Sequence, residues 1–224
     1  MNWKLILYSL VIFLFHACSS GNKNGIVIHD DRQKIVAIIP ENAKWFGVES
    51  SSRLALPSLE SLPVVSFDLH AAGITGTALE NSRLDFLSVS LKEIPFQSIN
   101  KIHSLQYLYL YNSSTTSADM EQLSALRKLI VLSLNHSNVT SLEFLKNHPH
   151  LRRLYLQHTN IQDLQPVIYC KDLQELYIGE TSIKDISPLQ NLKYLEKLEV
   201  NASITEMQIN ELKKKNRFLK IFRY

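Results

Sequence analysis

The sequence has few cysteines and no long apolar run. Its 224 residues include two cysteines, Cys18 and Cys170. Small secreted domains that depend on disulfides use several cysteine pairs, so that class of scaffold is excluded. The apolar stretch from Leu5 to Phe15 is shorter than the roughly 18 residues that a transmembrane helix requires. The sequence therefore predicts neither a disulfide-stapled domain nor a membrane-spanning helix.

Known catalytic motifs and a strong net charge are also lacking. The chain contains no nucleophile elbow, P-loop, zinc-protease helix or dinucleotide fingerprint, which argues against an enzyme and against a bound cofactor. Its formal net charge is +3, whereas nucleic-acid-binding domains usually carry a concentrated basic face. The one basic cluster, in residues 213–223, is interpreted as a solvated helix and a sheet edge that lysines protect from pairing. Contact of this cluster with anionic lipid or polysaccharide is the alternative.

The chain does have a repeated leucine spacing. Leu151, Leu173 and Leu195 lie 22 residues apart, and each is followed by apolar residues three and five positions later. This L-x-x-L-x-L spacing, with a period of about 20–29 residues, is the mark of a leucine-rich repeat. The same frame fits starts at residues 64, 84, 105, 129, 151, 173, 195 and 219.

These repeats predict an α/β leucine-rich-repeat solenoid, a curved right-handed stack of about eight parallel strands with short convex helices and turns. Side chains alternate along a strand, so the repeated leucines face the core and the residues between them face the concave side. The two longest segments between strands, which begin at Ser117 and at Thr205, are predicted to form α-helices. Hydroxyl side chains are expected to hydrogen-bond the turns after the strands; they are Ser113, Ser137, Thr159, Thr181 and Ser203.

One stretch carries a family resemblance. The line from Ile183 to Leu192, I-K-D-I-S-P-L-Q-N-L, resembles the I-x-D-I-x-P-L-x-x-L line of the internalin-like class of bacterial leucine-rich-repeat proteins. The match is specific in the repeats that start at 151, 173 and 195 and loose elsewhere, and Ser or Thr stands at the turn where that family has Asn. The resemblance implies a bacterial surface protein that binds other proteins, without naming a partner.

The N-terminus predicts a lipoprotein signal. Lys4 precedes the apolar residues Leu5 to Phe15, which is the layout of a secretory signal peptide. Ala17 before Cys18 resembles a bacterial lipobox, in which the cysteine is acylated, for example with palmitate. An ordinary secretory signal and an uncleaved signal anchor are the alternatives. We expect a signal peptide at 1–17, the lipidated cysteine and tether at 18–25, an N-terminal cap with a hairpin turn at 26–63, and repeats at 64–224.

Aromatic side chains gather on the expected concave face. Tyr107, Tyr109 and Tyr111 alternate along one strand, and Tyr155 and Tyr177 follow in the column of Tyr109. Aromatic residues are common anchors of protein interfaces, although tyrosine also suits strands. The charged neighbours are interpreted chiefly as a structural ladder. The predicted ligand-binding residues are Phe86, Tyr107, Tyr109, Tyr111, Arg153, Tyr155, Glu175 and Tyr177.

A weaker candidate site is the column of His136, His158 and Glu180 on three successive strands. Two histidines and a carboxylate can bind a divalent metal. Polar residues are expected at strand ends in any case, so exposed turn residues are the favoured interpretation and no metal is predicted. Cys170 is expected to be a small buried hydrophobe.

Together these features predict a lipid-anchored module of the bacterial envelope, at the outer membrane or cell surface, that binds a protein ligand of unknown identity on its concave face. No nucleic-acid partner is expected. A secreted protein is the alternative for location. The alternative for function is a structural envelope protein without one specific ligand, or a weak polysaccharide binder.

Overall fold

The computed structural model describes residues 25–40, 42–56, 58–60, 63–64, 66–75, 79–80, 82–91, 96–111 and 114–224. The predicted signal peptide, Cys18 and the tether up to residue 24 lie outside these residues, as does Ser113. Within the described ranges, no helix combines the length and the apolar character needed to cross a bilayer.

Nine parallel strands form the main sheet, which confirms the predicted leucine-rich-repeat solenoid. Its order is β3-β5-β7-β8-β9-β10-β11-β12-β13, so each strand lies beside the next strand of the sheet along the chain. The strands of the described chain are β1 Gly25–Asp30, β2 Ile35–Pro40, β3 Trp45–Glu49, β4 Arg53–Ala55, β5 Ser66–Ala71, β6 Gly73–Thr75, β7 Phe86–Leu91, β8 Tyr107–Leu110, β9 Val131–Ser133, β10 Arg153–Tyr155, β11 Glu175–Tyr177, β12 Lys197–Val200 and β13 Lys220–Arg223.

The N-terminal part of the chain contributes both a small sheet and the first strand of the main sheet. Strands β1 and β2 form an antiparallel hairpin, and the small sheet has the order β2-β1-β4-β6. The Asp30 carboxylate closes the hairpin turn by accepting from the Arg32 and Lys34 backbone N–H groups at 2.9 and 2.8 Å. Strand β3 pairs with β5, which places Phe46 beside Phe67. The main sheet therefore begins before residue 64.

The repeated apolar positions form one continuous core. The eight residues that start the predicted repeats are all at most 4% exposed, because each lies under the strand of its own repeat; they are Val64, Leu84, Leu105, Leu129, Leu151, Leu173, Leu195 and Leu219. The inward side chains at the corresponding position of successive strands are at most 1% exposed; they are Phe67, Leu87, Leu108, Leu132, Leu154, Leu176 and Leu198. The spacing in the sequence thus corresponds to burial in the structure.

The returns between strands use short helices on the convex side. The α-helices are α1 Phe96–Ile99, α2 Ser117–Glu121 and α3 Glu206–Lys215, and 3-10 helices cover Glu143–Asn147, Gln165–Tyr169 and Ser187–Asn191. Pro166 and Pro188 lie in the first turn of the last two, where a missing N–H is tolerated. Thr205 caps α3 by accepting from the Gln208 N–H at 3.3 Å, as its capping-box spacing predicts. Helix α2 is shorter than expected.

The hydroxyl groups at the turns behave in three ways. Those of Thr159 and Thr181 donate to the carbonyls of Leu156 and Ile178 at 2.6 and 2.7 Å, within their own repeats. Ser203 donates instead to a carbonyl of the preceding repeat. The Ser137 hydroxyl is buried and has no hydrogen-bond partner in the described chain. The expected turn hydrogen bonds therefore form in some repeats only.

The last strand pairs one residue away from the predicted register. The predicted frame of Leu219, Phe222 and Tyr224 would place Phe222 beside Leu198, but the structure pairs Leu198 with Ile221. Ile221 packs against the core, whereas Phe222 is 51% exposed. The prediction for this strand was wrong, because one residue fewer separates Leu219 from the first inward strand residue than in the earlier repeats.

Candidate binding face

The concave face is the side of the main sheet opposite the helical returns. Alternation along each strand places every second side chain there, and the parallel register aligns these side chains in columns across the sheet. Residues on neighbouring strands are paired directly, as are Phe86 with Tyr107 and Tyr155 with Tyr177. Six aromatic residues of this face form what we call the aromatic strip: Phe86, Tyr107, Tyr109, Tyr111, Tyr155 and Tyr177.

The first part of the aromatic strip lies on β7 and β8. The ring centroids of Phe86 and Tyr109 are 5.3 Å apart, and those of Phe86 and Tyr107 are 6.5 Å apart. Tyr109 also stacks on Tyr111, with 6.0 Å between centroids. These distances are within the range in which aromatic pairs attract each other. The rings therefore support one another and are half-buried.

The second part is a stacked pair on β10 and β11. The rings of Tyr155 and Tyr177 are nearly parallel, at 13°, with centroids 4.6 Å apart. Between the two parts, Ser133 and Val131 on β9 are each only 1% exposed although they face the concave side. These buried side chains of β9 therefore connect the two parts of the strip without adding exposed surface between them.

A carboxylate fixes one end of the aromatic strip. The Glu175 side chain accepts hydrogen bonds from the Tyr177 hydroxyl at 2.8 Å and from Lys197 at 2.9 Å, and the Arg153 guanidinium lies 3.4 Å away. Burial alone would raise the pKa of Glu175, but these hydrogen bonds and the charges of Lys197 and Arg153 outweigh it and hold the pKa below its usual value. Glu175 thus remains ionised and orients Tyr177.

Four hydroxyl groups of the strip stay protonated at neutral pH, those of Tyr109, Tyr111, Tyr155 and Tyr177. Burial is the main cause that raises the pKa of Tyr155 to about 12, and it also raises the pKa values of Tyr109, Tyr111 and Tyr177 above the usual value of 10. The face therefore presents neutral hydroxyl groups on apolar rings. A neutral tyrosine hydroxyl can both donate and accept a hydrogen bond.

Three further residues belong to this face and were not among the predicted site residues. Asp68 is 5% exposed and lies 3.1 Å from the His70 ring nitrogen, and this hydrogen bond raises the pKa of His70 although burial opposes it. Trp45 lies in the column of Phe86, with Ser66 between them. The column positions of Asp68 and His70 were visible in the sequence, whereas Trp45 preceded the first recognisable repeat.

The structure does not bring His136, His158 and Glu180 together as a metal site. No group of three or more His, Cys, Asp or Glu side chains in the described ranges could hold a metal ion. The two histidine rings stack on each other with centroids 4.2 Å apart. All three residues have a positive φ, between 53° and 59°. They occupy the left-handed turn position that follows β9, β10 and β11.

The last residue folds back over this end of the sheet. The Tyr224 ring packs edge-on against His158, with centroids 5.8 Å apart, and covers Gly179. A Cβ at Gly179 would come within 2.7 Å of the Tyr224 ring and 2.6 Å of the Glu199 carboxylate. Glu199 in turn accepts from the Gln157 amide at 3.0 Å. The absence of a side chain at Gly179 therefore makes room for these contacts.

A core position also holds an unexpected histidine. His148 is 1% exposed, at the position that Leu126 and Cys170 occupy in the neighbouring repeats. Its Nδ1 has no hydrogen-bond partner in the part of the chain that the structure describes. Burial lowers its pKa to about 4, although a hydrogen bond to the Leu126 backbone opposes the change. Cys170 itself is fully buried, and burial raises its pKa to about 12.

Solved structures resemble this architecture although the sequence matches no family model and no curated protein. The crystal structure of internalin C2 from Listeria monocytogenes aligns with a TM-score of 0.62 at 20% identity, over 85% of this chain and 81% of that chain. The crystal structure of another internalin (InlF) from that organism aligns with a TM-score of 0.51 at 18% identity, over 74% of this chain and 62% of that chain.

These likenesses establish a class of fold. The chain is a leucine-rich-repeat solenoid, as its nine parallel strands and short convex helices also show. Within that class it has the internalin-like fold of these bacterial proteins, which agrees with the resemblance of its sequence.

Proposed function

We propose that this protein is a lipid-anchored, non-enzymatic binding module of the bacterial envelope or cell surface, which holds a protein partner on its concave face. The observation that supports it best is the aromatic strip. The solenoid core is already complete beneath the sheet, so six half-buried aromatic side chains on the opposite face are not needed to fill it. Aromatic residues that are held in place bind at a low entropic cost, because few rotamers are lost on association.

The chemistry of the strip favours a protein partner. It offers apolar ring edges, neutral hydroxyl groups and, at one end, the charged side chains of Arg153 and Lys197 around Glu175. This mixture is typical of the centre and rim of a protein interface. A polysaccharide would stack on open ring faces, whereas Tyr155 and Tyr177 cover a face of each other.

The membrane attachment in this proposal depends on Cys18. An acyl chain on this residue would hold the protein at a membrane through its N-terminus, and stable anchoring needs more than a single chain. The lipobox-like sequence and the internalin-like resemblance support a location at the outer membrane or the cell surface. A chain secreted without a lipid is the alternative outcome of the same test.

The test uses the full chain as bait for envelope proteins of the source cells. We expect one saturable, stoichiometric partner. The double variant Tyr109→Ala/Tyr155→Ala should abolish its binding, because each aromatic anchor commonly contributes about 2 kcal/mol, roughly 30-fold in Kd. The matched control is Tyr169→Ala, which removes a tyrosine that is 46% exposed on the convex side. Equal binding by the double variant and the wild type, at equal melting temperature, would contradict the concave-face proposal.

A further inference from the structure

The C-terminal end of the solenoid concentrates positive charge. Residues 213–224 contain six Lys and Arg and no Asp or Glu, which is +6. Because the whole chain has 24 basic and 21 acidic residues, or +3, residues 1–212 carry a net charge of +3 − 6 = −3. Two of the six have acidic partners: Lys214 pairs with Glu211, and Arg223 pairs with Glu206. The other four are Lys213, Lys215, Arg217 and Lys220.

Two exposed aromatic side chains lie beside this charge. Tyr194 is 60% exposed and Phe218 is 88% exposed. Each directly precedes the leucine that starts a repeat, Leu195 and Leu219. Both residues line one shallow groove, whose charged lining residues are Lys193, Lys197 and Lys220 and one carboxylate, Glu196.

This repeat position has no structural need for an aromatic residue. In the four preceding repeats it holds polar residues, and none of them is buried. His150 and Asp172, which occupy it in successive repeats, contact each other at 2.9 Å. The position therefore runs along one edge of the solenoid that faces solvent, and Tyr194 and Phe218 extend this edge with rings that pack on no core.

Basic side chains follow the same edge. Lys193 and Arg217 each precede one of the two aromatic residues. A second surface hollow, at the end of α3, is lined by Lys213, Lys214 and Arg217. Arg217 thus adjoins Phe218 in the chain and the basic end of α3 in space. Lysines in the last turn of a helix do interact favourably with its dipole, but that effect does not explain the neighbouring exposed rings.

We propose that this basic-aromatic edge, formed by Lys193, Tyr194, Lys213–Lys215, Arg217, Phe218 and Lys220, docks on an anionic phospholipid surface. Aromatic side chains lie favourably at the headgroup level of a bilayer, and basic clusters are attracted to anionic lipids. The positive charge of the edge complements the negative charge of anionic headgroups, so we expect it to prefer anionic over zwitterionic phospholipid. A second copy of the chain is not the occupant, because two such edges would bring like charges together. The choice of lipid over nucleic acid rests on the envelope location proposed above.

Vesicle flotation with the full chain tests this proposal. Vesicles of phosphatidylcholine alone are compared with vesicles of equal parts phosphatidylcholine and phosphatidylglycerol. The N-terminal apolar segment is identical in all variants and contributes to binding of both vesicle types, so the excess binding to anionic vesicles reports the basic-aromatic edge. We expect Lys213→Gln/Lys214→Gln/Lys215→Gln to reduce this excess roughly 100-fold, at roughly fivefold for each lysine, and Phe218→Ser to reduce it roughly tenfold.

The control removes the same charge elsewhere. Lys34, Lys146 and Lys184 are exposed and lie outside the edge, so their triple change to Gln should lower the excess less than twofold. Circular dichroism melting checks that all variants fold. An equal loss in both triple variants, or no loss in the first, would overturn the proposal. So would displacement of the protein from anionic vesicles by an equimolar single-stranded oligonucleotide, since aromatic residues among basic ones also bind single strands.

The experiments distinguish a failure of the concave-face proposal from a failure of the edge proposal. Loss of partner binding by Tyr109→Ala/Tyr155→Ala without change in vesicle binding would leave the edge proposal standing. Loss of vesicle binding by the lysine variant without change in partner binding would leave the concave-face proposal standing.

Discussion

Buried His148 gives the protein a specific dependence of stability on pH. The side chain is 1% exposed, and burial lowers its pKa from 6.5 to about 4. Above pH 6.5 the ring is neutral in both the folded and the unfolded chain, so it contributes no pH dependence there. Below pH 6.5 the unfolded chain binds a proton that the folded chain does not. The free energy of unfolding therefore falls as the pH drops from 6.5 to about 4, by about 3 kcal/mol in total.

The variant His148→Leu isolates this effect. Leucine suits the position, because Leu126 and Leu192 occupy it in other repeats and are at most 4% exposed. Other groups also titrate, so the quantity to measure is the difference between wild type and variant in urea unfolding at several pH values. We expect this difference to change by about 3 kcal/mol between pH 7 and pH 4. A difference that is constant with pH would refute the reasoning. Exposed His103, changed to Gln, is the control.

Four other changes probe the fold, the turn and the anchor. Leu176→Ala should lower the free energy of unfolding by about 2–5 kcal/mol, whereas Tyr177→Phe should cost about 1 kcal/mol for its hydrogen bond; equal losses in urea unfolding would show that the strand register is misplaced. Gly179→Ala should remove the nuclear Overhauser contact between Tyr224 and His158 while shifting the melting temperature little, because the displaced Tyr224 ring is already 57% exposed. Cys18→Ser should abolish acylation in intact-mass measurements, and a wild-type mass without acyl groups would contradict the lipoprotein proposal.

The regular part of the fold was predictable because burial imposes the same residue type at the same spacing. Leu154, Leu176 and Leu198 are each 0% exposed, and no other residue class fits such sites. The irregular ends were not predictable on this basis. Strand β3 joins the sheet although its residues do not repeat the leucine frame, because a parallel neighbour needs only backbone pairing and an apolar side chain such as Phe46 to face the core.

The candidate site was predictable by position but not by contact. Alternation along β8 placed Tyr107 and Tyr109 on one face, as the pairing of β8 confirms, and Tyr111, just after the strand, stacks on Tyr109. Sequence spacing could not show that the rings of Tyr155 and Tyr177 stack, or that Ser133 becomes covered. Those outcomes depend on side-chain rotamers, which the repeat does not specify.

The last strand shows how one residue changes a prediction. Shifting a strand by one position exchanges its buried and exposed faces, and this is what separates the predicted Phe222 from the observed Ile221 as the inward residue. The same shift directs Arg223 toward the Ile204 carbonyl, to which it donates at 2.9 Å, and away from the concave face. The residues of the repeat that starts at 219 do not indicate in advance that its first inward side chain comes one position earlier.

Site-specific photocrosslinking in intact source cells tests the central claim most directly. A photoreactive phenylalanine analogue replaces either Tyr109 on the concave face or Tyr169 on the convex side, with both positions aromatic in the native chain. If the partner is held by the aromatic strip, the analogue at 109 forms one discrete crosslinked product and the analogue at 169 forms none. A product from position 169 with none from position 109 would contradict binding on the concave face.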